Sequence, residues 1–100
     1  MERMNMTAFL IADIEVTDPA VFEEYKKLAN DTIAAYGGKY VVRGGSFEVL
    51  EGDWSPRRIV ILEFPNISSL KAWYDSPEYA PLKHIRERSA NSRFVMVEGL

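Results

Sequence analysis

Apolar and polar positions change period several times along the 100-residue chain, and each change marks an element. Thr7 to Val16 is apolar, rich in β-branched residues and too short for a buried helix, so it predicts a strand. Asp18-Pro19 then signals a helix start: the aspartate can cap free backbone N–H groups, and proline suits the first turn. Phe22, Tyr25, Ala29, Ile33 and Tyr36 recur at spacings of three or four, which makes one apolar helical face. Gly37-Gly38 ends that helix, since a left-handed residue there costs glycine little. Lys39 to Arg43 and Ser46 to Glu51 read as one strand interrupted by a bulge at Gly44-Gly45. Gly52 to Pro56 is a turn and Arg57 to Pro65 a second strand, so the pair predicts a hairpin. Asn66 or Ser68 can cap a short helix through Tyr74, and Ser76-Pro77 restarts a helix to about Ser89. Lys83, His84, Arg86 and Arg88 fall late in it, where cations complement the helix dipole. Arg93 to Glu98 is the last strand.

The order strand, helix, strand, strand, helix, strand predicts an α+β fold, a ferredoxin-like βαββαβ split sandwich with helices on one face of an antiparallel sheet. Length predicts a single domain over residues 1–100. One layer of helices covers one sheet face, so the central strands should alternate apolar and polar. They do not: Val60, Leu62 and Phe64 oppose Ile59 and Ile61, and Leu10, Ala12 and Ile14 oppose Phe9 and Ile11. A second copy of the sheet is the simplest cover for the other face, which predicts a homodimer paired through its sheets, completing a dimeric α+β barrel.

Composition narrows the functions. Twelve Lys+Arg against fifteen Asp+Glu give a formal charge of −3, which opposes nucleic-acid binding over a basic face. Cysteine is absent and histidine occurs once, so thiolate catalysis and multi-imidazole metal sites are excluded, and no metal or cofactor is expected. No apolar run approaches the roughly 20 residues of a membrane span, and no signal peptide is visible at the polar N-terminus; both point to a cytoplasmic protein without membrane partners.

Several segments occur together in a characteristic order. They are Gly37-Gly38-Lys39-Tyr40-Val41-Val42-Arg43-Gly44-Gly45, Leu50-Glu51-Gly52, Glu63-Phe64-Pro65 and Trp73-Tyr74-Asp75-Ser76-Pro77-Glu78-Tyr79, followed by Arg86 and Glu98-Gly99. The chain resembles in these the bacterial domain-of-unknown-function family numbered thirteen-thirty, with Ala80 departing from a usual polar residue. The resemblance implies a dimeric α+β barrel and no particular activity. The wider superfamily includes cofactor-independent monooxygenases, isomerases, haem enzymes and binding proteins.

Candidate chemistry lies on the strands and the later helices. The hairpin is expected to bring Arg43 near Glu63, either as a pocket in which Arg43 holds an anionic or carbonyl group and Glu63 acts as acid or base, or as a structural ion pair. Gly44 and Gly45 could let backbone approach a ligand, or only bend the strand. Trp73 reads as a pocket wall or a core anchor, and Tyr79 as a hydrogen-bond donor to a bound oxygen. Arg86 lies two turns beyond Tyr79 and could line the same cleft. Asp13 and Glu15 share the side of Phe9 and Ile11, at that cavity or its rim; His84 reads as solvent-facing. Three functions fit: a cleft binding a small oxygen-rich or carboxylate-bearing molecule, a cofactor-independent isomerase or monooxygenase, or a dimerisation module without a ligand.

Overall fold

A computed structural model describes residues 6–100. Strands β1 (Ala8–Val16), β2 (Lys39–Arg43), β3 (Ile59–Phe64) and β4 (Ala90–Glu98) form one antiparallel sheet in the order β2-β3-β1-β4. Helices α1 (Pro19–Ala35), α2 (Ile67–Tyr74) and α3 (Ala80–Ser89) cover one face. This is the expected ferredoxin-like arrangement, with β3 beside β1 at the centre.

Local chemistry explains the boundaries. Asp18 caps α1 by accepting from the Val21 N–H at 3.3 Å, and Asn66 caps α2 by accepting from the Ser69 N–H at 2.8 Å. At the end of α1 Gly37 takes φ +82°, and the Gly38 N–H returns to the Ile33 carbonyl at 2.9 Å. A Cβ on Gly38 would stand 2.6 Å from the Phe64 ring, so the chain enters β2 pressed against the core. The helix restarting at Ser76-Pro77 becomes regular only from Ala80, because residues 77–79 form a turn in which Ser76 Oγ accepts from the Tyr79 N–H. The last strand begins at Ala90, three residues before the expected Arg93.

The core lies between sheet and helices. Leu10, Ala12 and Ile14 of β1 and Val60, Leu62 and Phe64 of β3 alternate into it, meeting Phe22, Ala29 and Ile33 of α1 and Leu70 and Trp73 of α2. Trp73 is its centre, with ring centroids 5.5 Å from Phe64 and 4.2 Å from Tyr79, and its indole N–H donates to Thr32 Oγ1 at 3.1 Å. Among the described residues no helix is long and apolar enough to cross a membrane.

Two expectations for the hairpin fail. Ser46 to Glu51 does not continue β2; residues 45–57 leave the sheet as an arm, and Phe47, Val49 and Leu50 are exposed on it. The bulge expected at Gly44-Gly45 sits earlier, at Val41: Tyr40 pairs Leu62 and Val42 pairs Ile61, so Val41 is the extra residue. The arm returns across the outer face, where Asp13 accepts from the Trp54 indole N–H and the Arg57 N–H, both at 2.9 Å.

Candidate functional site: a cation-rimmed cleft under the first helix

The β2 bulge decides where Arg43 points. Residues three apart in a regular strand face opposite ways. With Val41 inserted, Tyr40 lies opposite Leu62 and Arg43 opposite Val60, both partners facing the helices, so both side chains enter the layer beneath α1. Arg58 reaches the same layer through the parity of β3: it lies two residues before Val60, and its carbonyl accepts from the N–H of core residue Ile14. Lys26 follows Tyr25 on α1 and completes the set.

These groups rim a cleft whose floor includes Leu10, Phe22, Leu62, Trp73 and Phe94, with Tyr25 and Tyr40 in its walls. The cavity measures about 30 Å³, space for no more than a water or two. Lys26 is paired with Glu23 at 2.6 Å. Arg43 donates weakly to Asn30 Oδ1 at 3.3 Å and lies 4.3 Å above the Tyr40 ring. Among the described residues neither Arg43 nor Arg58 has a carboxylate partner, and Nε of Arg58 is buried without a hydrogen bond. Burial pushes the Tyr40 hydroxyl pKa up, against the pull of Arg43 and Arg58.

Tyr25, Trp73 and Phe94 form the inner wall, and a second polar group lies behind them. The hydroxyls of Tyr25 and Tyr79 are 2.6 Å apart. Arg86 lies 4.1 Å over the Phe94 ring and is 7% exposed. Burial raises the pKa of both tyrosines; for Tyr79 the Arg86 charge and hydrogen bonds from Tyr25 and Arg86 work the other way.

Of the expected site residues, Arg43, Trp73, Tyr79 and Arg86 gather in or behind this cleft, and Trp73 is both wall and core anchor. Glu63 does not join them. It pairs Lys39 and Phe9 and shares the outer face with Ile59 and Ile61, whereas Arg43 pairs Val60 facing inward. The expected Arg43–Glu63 proximity is thus replaced by opposite faces of the sheet. Asp13 and Glu15 also lie outside the cleft: Asp13 holds the arm, and Glu15 meets Arg57 at 3.5 Å. Gly44 (φ +70°) allows Arg58 close to the backbone, while a Cβ on Gly45 would meet nothing within 4 Å. His84 is solvent-facing as expected, 3.6 Å from Glu87. Arg58, Lys26 and Tyr25 were missed; for Arg58 the signal was its parity with Val60. No group of three metal-ligating side chains occurs among the described residues.

The family model for a domain of unknown function, DUF1330, matches residues 7–100. The chain belongs to that family. No curated protein matches the sequence. Among solved structures the fold is similar to a protein of unknown function from Rhodopseudomonas palustris, at 17% identity and TM-score 0.77, covering 96% of this chain and 84% of that one. It is also similar to SnoaB, a cofactor-independent oxygenase from Streptomyces nogalater, at 13% identity and TM-score 0.64, covering 92% and 91%. A conserved protein from Methanosarcina mazei shares the fold at 14% identity and TM-score 0.57, covering 95% and 94%. At these identities the likeness establishes fold alone.

Proposed function

We propose that this DUF1330 member binds a small carboxylate-bearing molecule in the cleft between α1 and the sheet. Arg43 and Arg58 receive the carboxylate at the mouth, and the ligand body lies on the apolar floor against Trp73. The observation that carries this reading is two arginines without carboxylate partners above an apolar floor. Guanidinium groups suit the planar, bidentate geometry of a carboxylate. The 30 Å³ cavity must widen to admit such a ligand.

Benzoate, with benzyl alcohol as the uncharged control, tests the reading by calorimetric titration. Benzoate binding weakened about tenfold by Arg43→Gln and by Arg58→Gln supports it. Binding indifferent to both changes, or equal for benzyl alcohol, overturns it.

A second reading, cofactor-independent turnover in the same cleft, is favoured by the buried Tyr25–Tyr79 hydroxyl pair and by the shared fold with an oxygenase. In that reading Tyr79 and Tyr25 supply hydrogen bonds to a developing oxyanion. Native mass spectrometry of freshly purified protein separates the two. The released compound and its reduced or isomeric forms, returned to the protein in air, give a new mass or a new chromatographic retention time if the protein is an enzyme, and neither if it is a binder.

The protein acts as a homodimer joined through the outer sheet face. Phe9, Ile11 and Ile61 are half-buried there, and Val41, Val95 and Val97 are exposed, beside the arm carrying Phe47, Val49 and Leu50. Apolar area of this extent is characteristic of an interface.

A further inference from the structure

Arg86 is the one charged side chain that is buried among the described residues. It is 7% exposed, has no carboxylate partner among the described residues, and its Nε has no hydrogen-bond acceptor. An unneutralised buried guanidinium is costly unless a counter-charge joins it. What the fold supplies is the face of Phe94 at 4.1 Å and the Tyr79 hydroxyl. The tyrosine pair adds to the surplus of donors. One of the two hydroxyls donates to the other across 2.6 Å, so one O–H proton is left to give. The Arg86 Nε–H thus has no acceptor and the tyrosine pair has one O–H left to give, both behind the wall that Tyr25, Trp73 and Phe94 present to the cleft.

We infer that Arg86, Tyr79 and Tyr25 form an inner subsite for a second negatively polarised oxygen of the ligand, a carboxylate or enolate-type oxygen distinct from the group held at the mouth. This rests on the cleft being the ligand site, and it narrows the ligand class to molecules with anionic or carbonyl oxygens at both ends. Phe94 is the element that gives way. It is half-buried and also walls a groove of about 470 Å³ between α2 and β4, which offers its ring somewhere to move. A shift of that ring opens the cleft inward to the Arg86 guanidinium.

The test follows arginine Nε–H resonances by NMR during titration with terephthalate, a planar dicarboxylate, and with benzoate, resonances being assigned through Arg43→Lys, Arg58→Lys and Arg86→Lys. The expected result is that terephthalate shifts the Arg86 signal together with those of Arg43 and Arg58. Terephthalate should also bind about tenfold more tightly than benzoate, with Arg86→Lys removing that advantage. Movement of the Arg43 and Arg58 signals with Arg86 still overturns the inner subsite and leaves the mouth reading intact. If no arginine signal responds to either acid, both readings fail. The lysine variant keeps the charge, and a second variant, Tyr79→Phe, guards against misfolding: it removes the hydroxyl alone and should erase most of the same advantage.

Discussion

Gly44 and the Arg58 guanidinium occupy adjoining space so closely that a Cβ on residue 44 would stand 2.5 Å from Nη1 of Arg58. Gly44 also holds φ +70°, a conformation that costs other residues about 1–2 kcal/mol. Gly44→Ala is expected to lower the melting temperature by about 5–10 °C and to weaken benzoate binding by displacing Arg58. Gly45→Ala, with open space around it, should change neither. Calorimetry and titration of the two variants side by side check this.

The bulge at Val41 makes a sharper prediction. Deleting Val41, the residue without a partner on β3, restores regular alternation along β2, an edge strand, and leaves Tyr40 opposite Leu62 and Arg43 opposite Val60, both facing the helices. Benzoate affinity should therefore stay within a few-fold of the wild type, with circular dichroism showing the fold retained, whereas Arg43→Gln loses about tenfold. A loss as deep as in Arg43→Gln would mean that the register opposite Val60 is not what holds Arg43 at the cleft.

Asp13 predicts a pH dependence. Burial raises its pKa, but hydrogen bonds from Arg57, Trp54 and Arg58 and the charge of Arg93 together outweigh it, so the carboxyl stays below its ordinary 3.8. A depressed folded pKa contributes stability that is complete above the ordinary value and is lost as pH falls through the folded one. Urea midpoints should therefore drop on going from pH 5 to pH 2.5, and drop less in Asp13→Asn. At neutral pH Asp13→Ala, by cutting two hydrogen bonds that anchor the arm, should cost about 1–2 kcal/mol and make Trp54 fluorescence more easily quenched.

The outer face gives a test of assembly. Ile61 lies near its middle, on β3 between β2 and β1. Ile61→Lys should convert a dimer to a monomer in light scattering, because a buried unpaired ammonium is strongly disfavoured. Leu50→Asp on the arm, 85% exposed in the single chain, should loosen the dimer less. A wild-type protein that is monomeric at every concentration would overturn the proposed pairing.

Trp73 separates core from site. Trp73→Ala removes the ring that meets Phe64 and Tyr79 and should destabilise by about 3–5 kcal/mol. Trp73→Phe should cost less and leave the indole's partner Thr32 Oγ1 to other donors. Denaturant midpoints distinguish the two.

Much of the fold was legible because its signals are local. The Asp18 and Asn66 caps, the stripe from Phe22 to Ile33, the Gly37-Gly38 stop and the alternation in β1 and β3 each depend on neighbours within a turn or two. For the proposed site, the sequence singles out residue types but not which of them meet. Arg43 and Trp73 line the cleft and Tyr79 and Arg86 lie behind it, whereas the expectation of Glu63 beside Arg43 fails because the register of β2 on β3 cannot be counted through an arm that leaves the sheet. Ser46 to Glu51 has the composition of a strand, but strand formation needs a partner edge, and β3 ends its pairing with β2 at Val60.

By itself, the sequence determined the order of the elements, the apolar faces and the excess of hydrophobic residues on the outer face, since these follow from period and propensity. Tertiary structure decided the rest. A single inserted residue at Val41 selects the face that Arg43 serves, packing buries Arg86 beside Phe94 and Tyr79, and a carboxylate on the outer face, Asp13, clasps the arm from 41 residues away along the chain. Each is a long-range contact whose energy depends on which groups the folded chain leaves without other partners, and that is set only when the whole sheet is assembled.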